Sequence, residues 1–204
     1  MNGKMIVFDG NSILNRAYYG VRPLNTKDGF PTNALFGFVN ILQKNLAPGY
    51  DYAAIAYDLR EKTFRHIRCD TYKATRRPMP EDLAKQLPVS KEIAELMGLH
   101  VLTAAGFEAD DILGTLSRIA KENDVECVIV TGDRDALQLV SDDTTLLLTR
   151  KGISEIEECT PERVQELFGV RPDQITDLKG LMGDSSDNIP GIAGIGEKTA
   201  LKLI

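Results

Sequence analysis

Histidine is nearly missing from this chain of 204 residues, which has only His66 and His100, and neither sits at metal-ligand spacing. The three cysteines, Cys69, Cys127 and Cys159, are widely separated and odd in number. They form neither a zinc-ligand pattern nor a disulfide framework, and read as ordinary thiols. No apolar run approaches the ~18 residues a membrane span needs. The start, Met1 to Phe8, is too short for a secretory signal and has no small-residue cleavage site. A soluble, intracellular protein is expected. Basic charge is not in excess either: 24 Lys and Arg stand against 30 Asp and Glu, for a formal net charge of -6. Taken as a sum, that argues against a nucleic-acid partner.

Acid is abundant, and it is placed. Glu108, Asp110 and Asp111 lie within four residues, directly before an apolar-periodic run (Ile112, Leu113, Leu116, Ile119, Ala120) that predicts an amphipathic helix. Helix starts favour acidic residues, but like charges about 5 Å apart repel by roughly 3 kcal/mol at an effective dielectric of about 20. Three carboxylates at one start call for compensation, and a bound cation is the obvious candidate.

Other acids end predicted strands. The run Lys4 to Phe8 leads into Asp9, Tyr52 to Tyr57 into Asp58, and Glu126 to Val130 into Thr131-Gly132-Asp133-Arg134-Asp135. Further strands are expected at about His100 to Thr103 and Leu146 to Thr149. Helices are expected over about 32–46, over 81–97 with an interruption or bend near Pro88, and from near Pro161 and Pro172. This alternation predicts an α/β fold, a mostly parallel sheet with helices on both faces. In such sheets ligands bind beyond the carboxyl ends of the strands, where Asp9, Asp58, Glu108 and Asp133 all fall.

The candidate ligand set is therefore Asp9, Asp58, Glu108, Asp110, Asp111, Asp133, Asp135, Asp184 and Asp187. These are hard oxygen donors suited to Mg²⁺ or Mn²⁺. Nine exceed what one hydrated Mg²⁺ takes, so two ions fit better, and a two-ion carboxylate site suits in-line displacement at phosphorus. Without these nine acids the net charge would be +3, a mildly cationic scaffold. From Arg60 to Pro78 seven basic residues face two acidic ones, and Lys73 and Arg76 can hold phosphate and offset developing charge.

Near the C-terminus, Gly191 to Thr199 invites a P-loop reading, but Glu197 stands between Gly196 and Lys198 and displaces the lysine from the phosphate-cradling position. A Gly-rich hairpin opening a helix, able to hold a DNA phosphate, is the better reading. A phosphatase of the haloacid-dehalogenase type would also place Asp9 after the first strand, yet it needs an acid two residues later, where this chain has Asn11.

The combination resembles a known family. Asp9-Gly10-Asn11-Ser12 with Arg16, Pro31 to Ala34, Asp58, Tyr72-Lys73 with Arg76, Gly106 to Asp111, Thr131 to Asp135 with Gln138-Leu139, and Gly183 to Lys198 are similar, in order, to the 5′ nuclease domains at the N-terminus of bacterial DNA polymerase I. Those belong to the flap endonuclease family with a PIN-like fold. The resemblance implies a two-metal 5′-3′ exonuclease and flap endonuclease acting on DNA with a 5′ flap or 5′ end and on RNA primer–DNA duplexes, in primer removal and repair. It implies a cytoplasmic, nucleoid-associated monomer, with a polymerase fused or separate.

The nine acids would then be the metal ligands, and Lys73 and Arg76 catalytic residues at the base of an arch over about 60–80. Arg16, Tyr72, Lys73, Arg76, Arg77, Gly194, Gly196 and Lys198 would contact DNA, with a monovalent cation at the hairpin. Residues 1–183 would form the nuclease core and 184–204 the start of a helix-hairpin-helix module. The chain ends at Ile204, inside the helix after the hairpin, whereas domains of this family continue. A non-catalytic or weakly active DNA-binding module is the competing expectation.

Overall fold

The computed structural model describes residues 2–150 and 155–204. Its centre is β1 (Lys4–Asp9), where Ile6, Val7 and Phe8 have no exposed surface. Side chains alternate across a strand, so Val7 enters a core on one side, with Ile129, Leu146 and Leu113. Ile6 and Phe8 enter a second core on the other, with Ile13, Phe38, Ile55 and Val130. A strand buried on both faces is the signature of a parallel sheet covered by helices.

The other strands of this sheet are β2 (Tyr52–Ala56), β3 (His100–Leu102), β4 (Glu126–Thr131), β5 (Thr144–Thr149) and β6 (Ile156–Cys159). They lie in the order β3-β2-β1-β4-β5-β6, and all pair in parallel except β6, which runs antiparallel to β5. The predicted α/β class is what the chain adopts. The antiparallel edge strand β6 was not among the expected elements. The four-residue strand IEEC carries two adjacent glutamates and no alternation over its length.

Helices α1 (Gly10–Gly20), α2 (Asn33–Leu46) and α4 (Glu81–Leu96) cover the Phe8 side, while α5 (Ala109–Glu122), α6 (Pro161–Phe168) and α7 (Ile175–Met182) serve the Val7 side. Helix α4 is not interrupted at Pro88 but runs through it as one element. It is fixed to α2 by Gln86, which is fully buried: its Oε1 accepts from the Leu35 N–H and its Nε2 donates to Asn33 Oδ1. That gives an acceptor to one of the free N–H donors at the start of α2, whose N-cap Thr32 makes no side-chain cap bond.

In the basic segment a short helix, α3 (Phe64–Arg68), is followed by turns through Tyr72 to Arg76. Near Pro172 there is first a 3₁₀ turn (Pro172–Gln174), and α7 begins at Ile175. After α7 come a two-residue hairpin, β7 (Gly183–Asp184) with β8 (Ile189–Pro190), and α8 (Glu197–Leu203). Cys127 and Cys159 are buried free thiols and Cys69 is an exposed one. Among the described residues no helix is long and apolar enough to cross a membrane.

From β1 the chain passes to β2 and β3 on one side, then crosses back to β4 on the other. The crevice this reversal leaves lies beyond the carboxyl ends of β1 and β4, the usual position for a ligand in an open α/β sheet.

Candidate active site

That crevice is a cleft of about 620 Å³ whose lining includes Asp9, Asp58, Glu108, Asp110 and Asp133, with Arg16, Lys73, Arg76 and Arg77 also around it. Asp9 ends β1 and caps α1: its Oδ1 accepts from the Ser12 N–H at 3.0 Å, and its Oδ2 from the Thr131 hydroxyl at 2.7 Å. The Thr131 hydroxyl oxygen in turn accepts from the Asp133 N–H. Burial raises the Asp9 pKa to about 6, with Asp58 and Asp133 adding repulsion against those two hydrogen bonds.

Asp58 is fixed from two directions. Its N–H donates to Asn11 Oδ1 at 2.9 Å, and its Oδ1 accepts from the Ala109 N–H at 2.7 Å, where α5 begins. Asp110, one residue further along α5, is pushed up to about 8, chiefly by burial and then by the charges of Asp9 and Asp133. Among the described residues, no Lys or Arg forms an ion pair with Asp9, Asp58, Asp110 or Asp133.

The other five acids are each paired. Glu108 is buried, with its Oε1 2.9 Å from Lys73 Nζ and its Oε2 accepting from the Tyr72 hydroxyl. That hydroxyl also reaches Asp187 Oδ2 at 3.1 Å, and Arg76 Nη2 lies 2.5 Å from Asp187 Oδ1. Burial and the two flanking carboxylates raise the Tyr72 pKa, keeping the phenol a donor. Asp135 and Asp184 share Lys179, which neither motif nor spacing singled out; only its place five residues before Asp184, on the helix that leads into β7, could have signalled it.

Asp111 turns away from this cleft. It accepts the Glu108 N–H as a helix cap and takes a two-bond guanidinium contact from Arg65, at 2.7 and 2.8 Å. It lines a second hollow of about 320 Å³ with Arg65, Thr115 and Arg118, and Asp110 borders both hollows.

Among the expected DNA contacts, Arg16 lies on the cleft wall with its guanidinium near the Gly132 carbonyl, and Arg77 is exposed beside it. Tyr72 is buried, with its hydroxyl already engaged. Gly194, Gly196 and Lys198 are exposed at the start of α8 and do not line the cleft.

As they stand, no three His, Cys, Asp or Glu side chains among the described residues are close enough to form a metal cage. The donor chemistry nonetheless fits a hydrated hard cation. Four ionisable oxygen donors without a counter-ion face one cleft, and Mg²⁺ needs only one or two direct carboxylates because it keeps several waters.

Two family models cover the chain: the 5′-3′ exonuclease N-terminal resolvase-like domain over residues 4–169 and the 5′-3′ exonuclease C-terminal SAM fold over residues 170–204. DNA polymerase I of Mycobacterium tuberculosis strain H37Rv is 46% identical over 206 residues, covering 98% of this chain and 22% of that protein. DNA polymerase I of Bacillus subtilis is 43% identical over 202 residues, covering 98% and 23%. The chain thus spans less than a quarter of the length of these relatives. A bacteriophage T5 flap endonuclease in a pseudo-enzyme-product complex with DNA and metal ions superposes with a TM-score of 0.79 at 20% identity, over 98% of this chain and 74% of that one. A T5 5′-exonuclease with bound zinc gives 0.77 at 22% identity and the same coverages. At these identities the structural matches establish the shared fold.

Proposed function

This chain belongs to the 5′-3′ exonuclease family, and from that premise we propose that it is a metal-dependent, structure-specific 5′ nuclease. It would hydrolyse phosphodiester bonds at 5′ flaps and 5′ ends of DNA and of RNA primers. The observation that carries this reading is the group of four unpaired carboxylates, Asp9, Asp58, Asp110 and Asp133, at the sheet's switch point, with basic residues around the same cleft. Unpaired acids crowded in a cleft are costly to keep ionised. A divalent cation is what relieves that cost.

In this reading those four residues hold one Mg²⁺ or Mn²⁺, and Asp135 and Asp184, with Glu108 and Asp187 nearby, hold a second. When bound, such ions lower the pKa of coordinated water and stabilise charge on phosphoryl oxygens. The chain's own groups do the rest. Lys73 and Arg76, now held by Glu108 and Asp187, are available to a substrate phosphate once those acids are otherwise neutralised. Arg16 and Arg77 guide the strand along the cleft wall. Thr131 and Ser12 keep Asp9 oriented, and Asn11 and the α5 start keep Asp58 oriented.

Gly194, Gly196 and Lys198 hold duplex phosphate at the start of α8, with a monovalent cation at that turn. Asp111 in this reading acts through its arginine pair rather than as a direct ligand. A polymerase portion, as in the relatives, would be the natural partner.

The pairing of five acids with basic side chains favours a second reading, a DNA-binding module without turnover. A 5′-flap oligonucleotide incubated with the chain separates them. Cleavage in Mg²⁺ that stops in EDTA supports the nuclease, and binding without cleavage under both conditions supports the module.

A further inference from the structure

Lys179 joins two candidate ligands that follow β4 in the chain and come from separate elements. Its ammonium donates to Asp135 Oδ1 and, at 2.6 Å, to Asp184 Oδ2. Both residues are anchored by other bonds. The Asp135 backbone N–H donates to Asp133 Oδ1 at 2.9 Å, which ties this pair to the unpaired group. Asp184 Oδ1 accepts from the Ser186 N–H and hydroxyl at 2.8 and 2.6 Å.

The backbone under Asp184 is equally fixed. Gly183 has φ +80°, and a Cβ on Gly191 would come within 2.3 Å of the Met182 carbonyl carbon, so the hairpin closes only with glycine at both positions. The backbones that carry both acids, and the Asp184 carboxylate itself, are therefore fixed without the lysine, which neutralises them. The Lys179 side chain is about one-third exposed, at 32%, and can swing away on its flexible stem, whereas Asp184 is 10% exposed.

We infer that Lys179 is a resident counter-ion that competes with a divalent cation for Asp135 and Asp184. The second metal position consequently fills later and more weakly than the one at Asp9, Asp58, Asp110 and Asp133. This rests on the metal-dependent reading proposed above. Removing one partner of a partly buried pair leaves the other charge uncompensated, so loss of the lysine raises the demand of both acids for another cation. The lysine thereby sets the divalent concentration at which the second position is occupied, a property separate from the chemistry of cleavage.

The test is Mn²⁺ binding to the full chain, followed by the electron paramagnetic resonance signal of the free ion, for wild type, Lys179→Met and Lys179→Arg. Wild type is expected to show a tight and a weak class. Lys179→Met should tighten the weak class by about tenfold and leave the tight class unchanged, while Lys179→Arg keeps the weak class near wild type. Should Lys179→Met not fold, Lys179→Gln read by the Mn²⁺-induced shift in melting temperature gives the same comparison, the variant gaining more than wild type. A weak class that is unchanged or lost on removing the lysine overturns the inference while leaving the metal-dependent reading standing. A wild-type chain that binds no Mn²⁺ in either class sinks that reading and the role of Lys179 with it.

Discussion

Lys73 Nζ lies 2.9 Å from Glu108 Oε1, and the Lys73 N–H donates to the Asp187 carbonyl at 2.8 Å. The residue sits at φ +54°, a left-handed conformation uncommon without glycine. The turn that bears it is thus tied both to the start of α5 and to the strand connection after Asp184. In the proposed nuclease reading, the cation meant for a phosphate is held against an acid of the cleft.

Lys73→Ala should slow cleavage and lower the salt slope of DNA binding by roughly one unit, as loss of one phosphate contact does. Binding measured across a range of salt concentrations checks this. An unaltered slope would put Lys73 away from the DNA backbone.

Asp133→Asn should abolish cleavage while leaving DNA affinity intact or improved, because it removes a charge that repels phosphate from a cleft rich in acid. Single-turnover assays with a 5′-flap substrate, alongside binding in Ca²⁺, check both halves. Turnover near the wild-type rate would remove Asp133 from the chemistry.

Much of this site was legible from the residues. The acid at each strand end, Asp9, Asp58 and Asp133, followed from short apolar runs with nothing polar inside them, and the parallel class followed from their alternation with helices. The pairings were not legible. Lys179 and Asp135 are 44 residues apart, and Arg65 and Asp111 46 apart, so only the folded chain reveals which acids are already neutralised. The split between Asp110, facing both hollows, and Asp111, turned to Arg65, was also hidden. Neighbours on a helix point about 100° apart, but which direction meets the cleft depends on how α5 docks. The tiny β7–β8 hairpin is too short for any periodicity to show.

Metal-free stability should fall as pH rises from about 5 to 8.5. The folded-state values of Asp9 and Asp110, about 6 and about 8, lie above the ordinary 3.8. Across that interval the folded chain therefore binds protons that the unfolded chain has released. Asp111 and Asp184 are shifted downward and titrate below this window. Mg²⁺ should raise the melting temperature more at pH 8.5 than at pH 5.5, since it binds the ionised acids. Thermal melts in EDTA and in Mg²⁺ at the two pH values check this. A metal-free melting temperature that climbs with pH contradicts it.

Gln86→Leu should destabilise the fold by about 1–3 kcal/mol, because the Leu35 N–H and the Asn33 amide oxygen lose their partner in a buried interface. Denaturant unfolding measures the loss. A change under about 0.5 kcal/mol, the size expected of an ordinary surface substitution, would mean that water or a neighbour replaces the glutamine.

The most direct test of the central claim is a Mn²⁺-soaked crystal with anomalous scattering recorded at the manganese edge. A strong peak is expected within the carboxylates of Asp9, Asp58, Asp110 and Asp133, and a weaker one at Asp135 and Asp184 with the Lys179 ammonium moved aside. Saturating Mn²⁺ with no anomalous density in that cleft would contradict it.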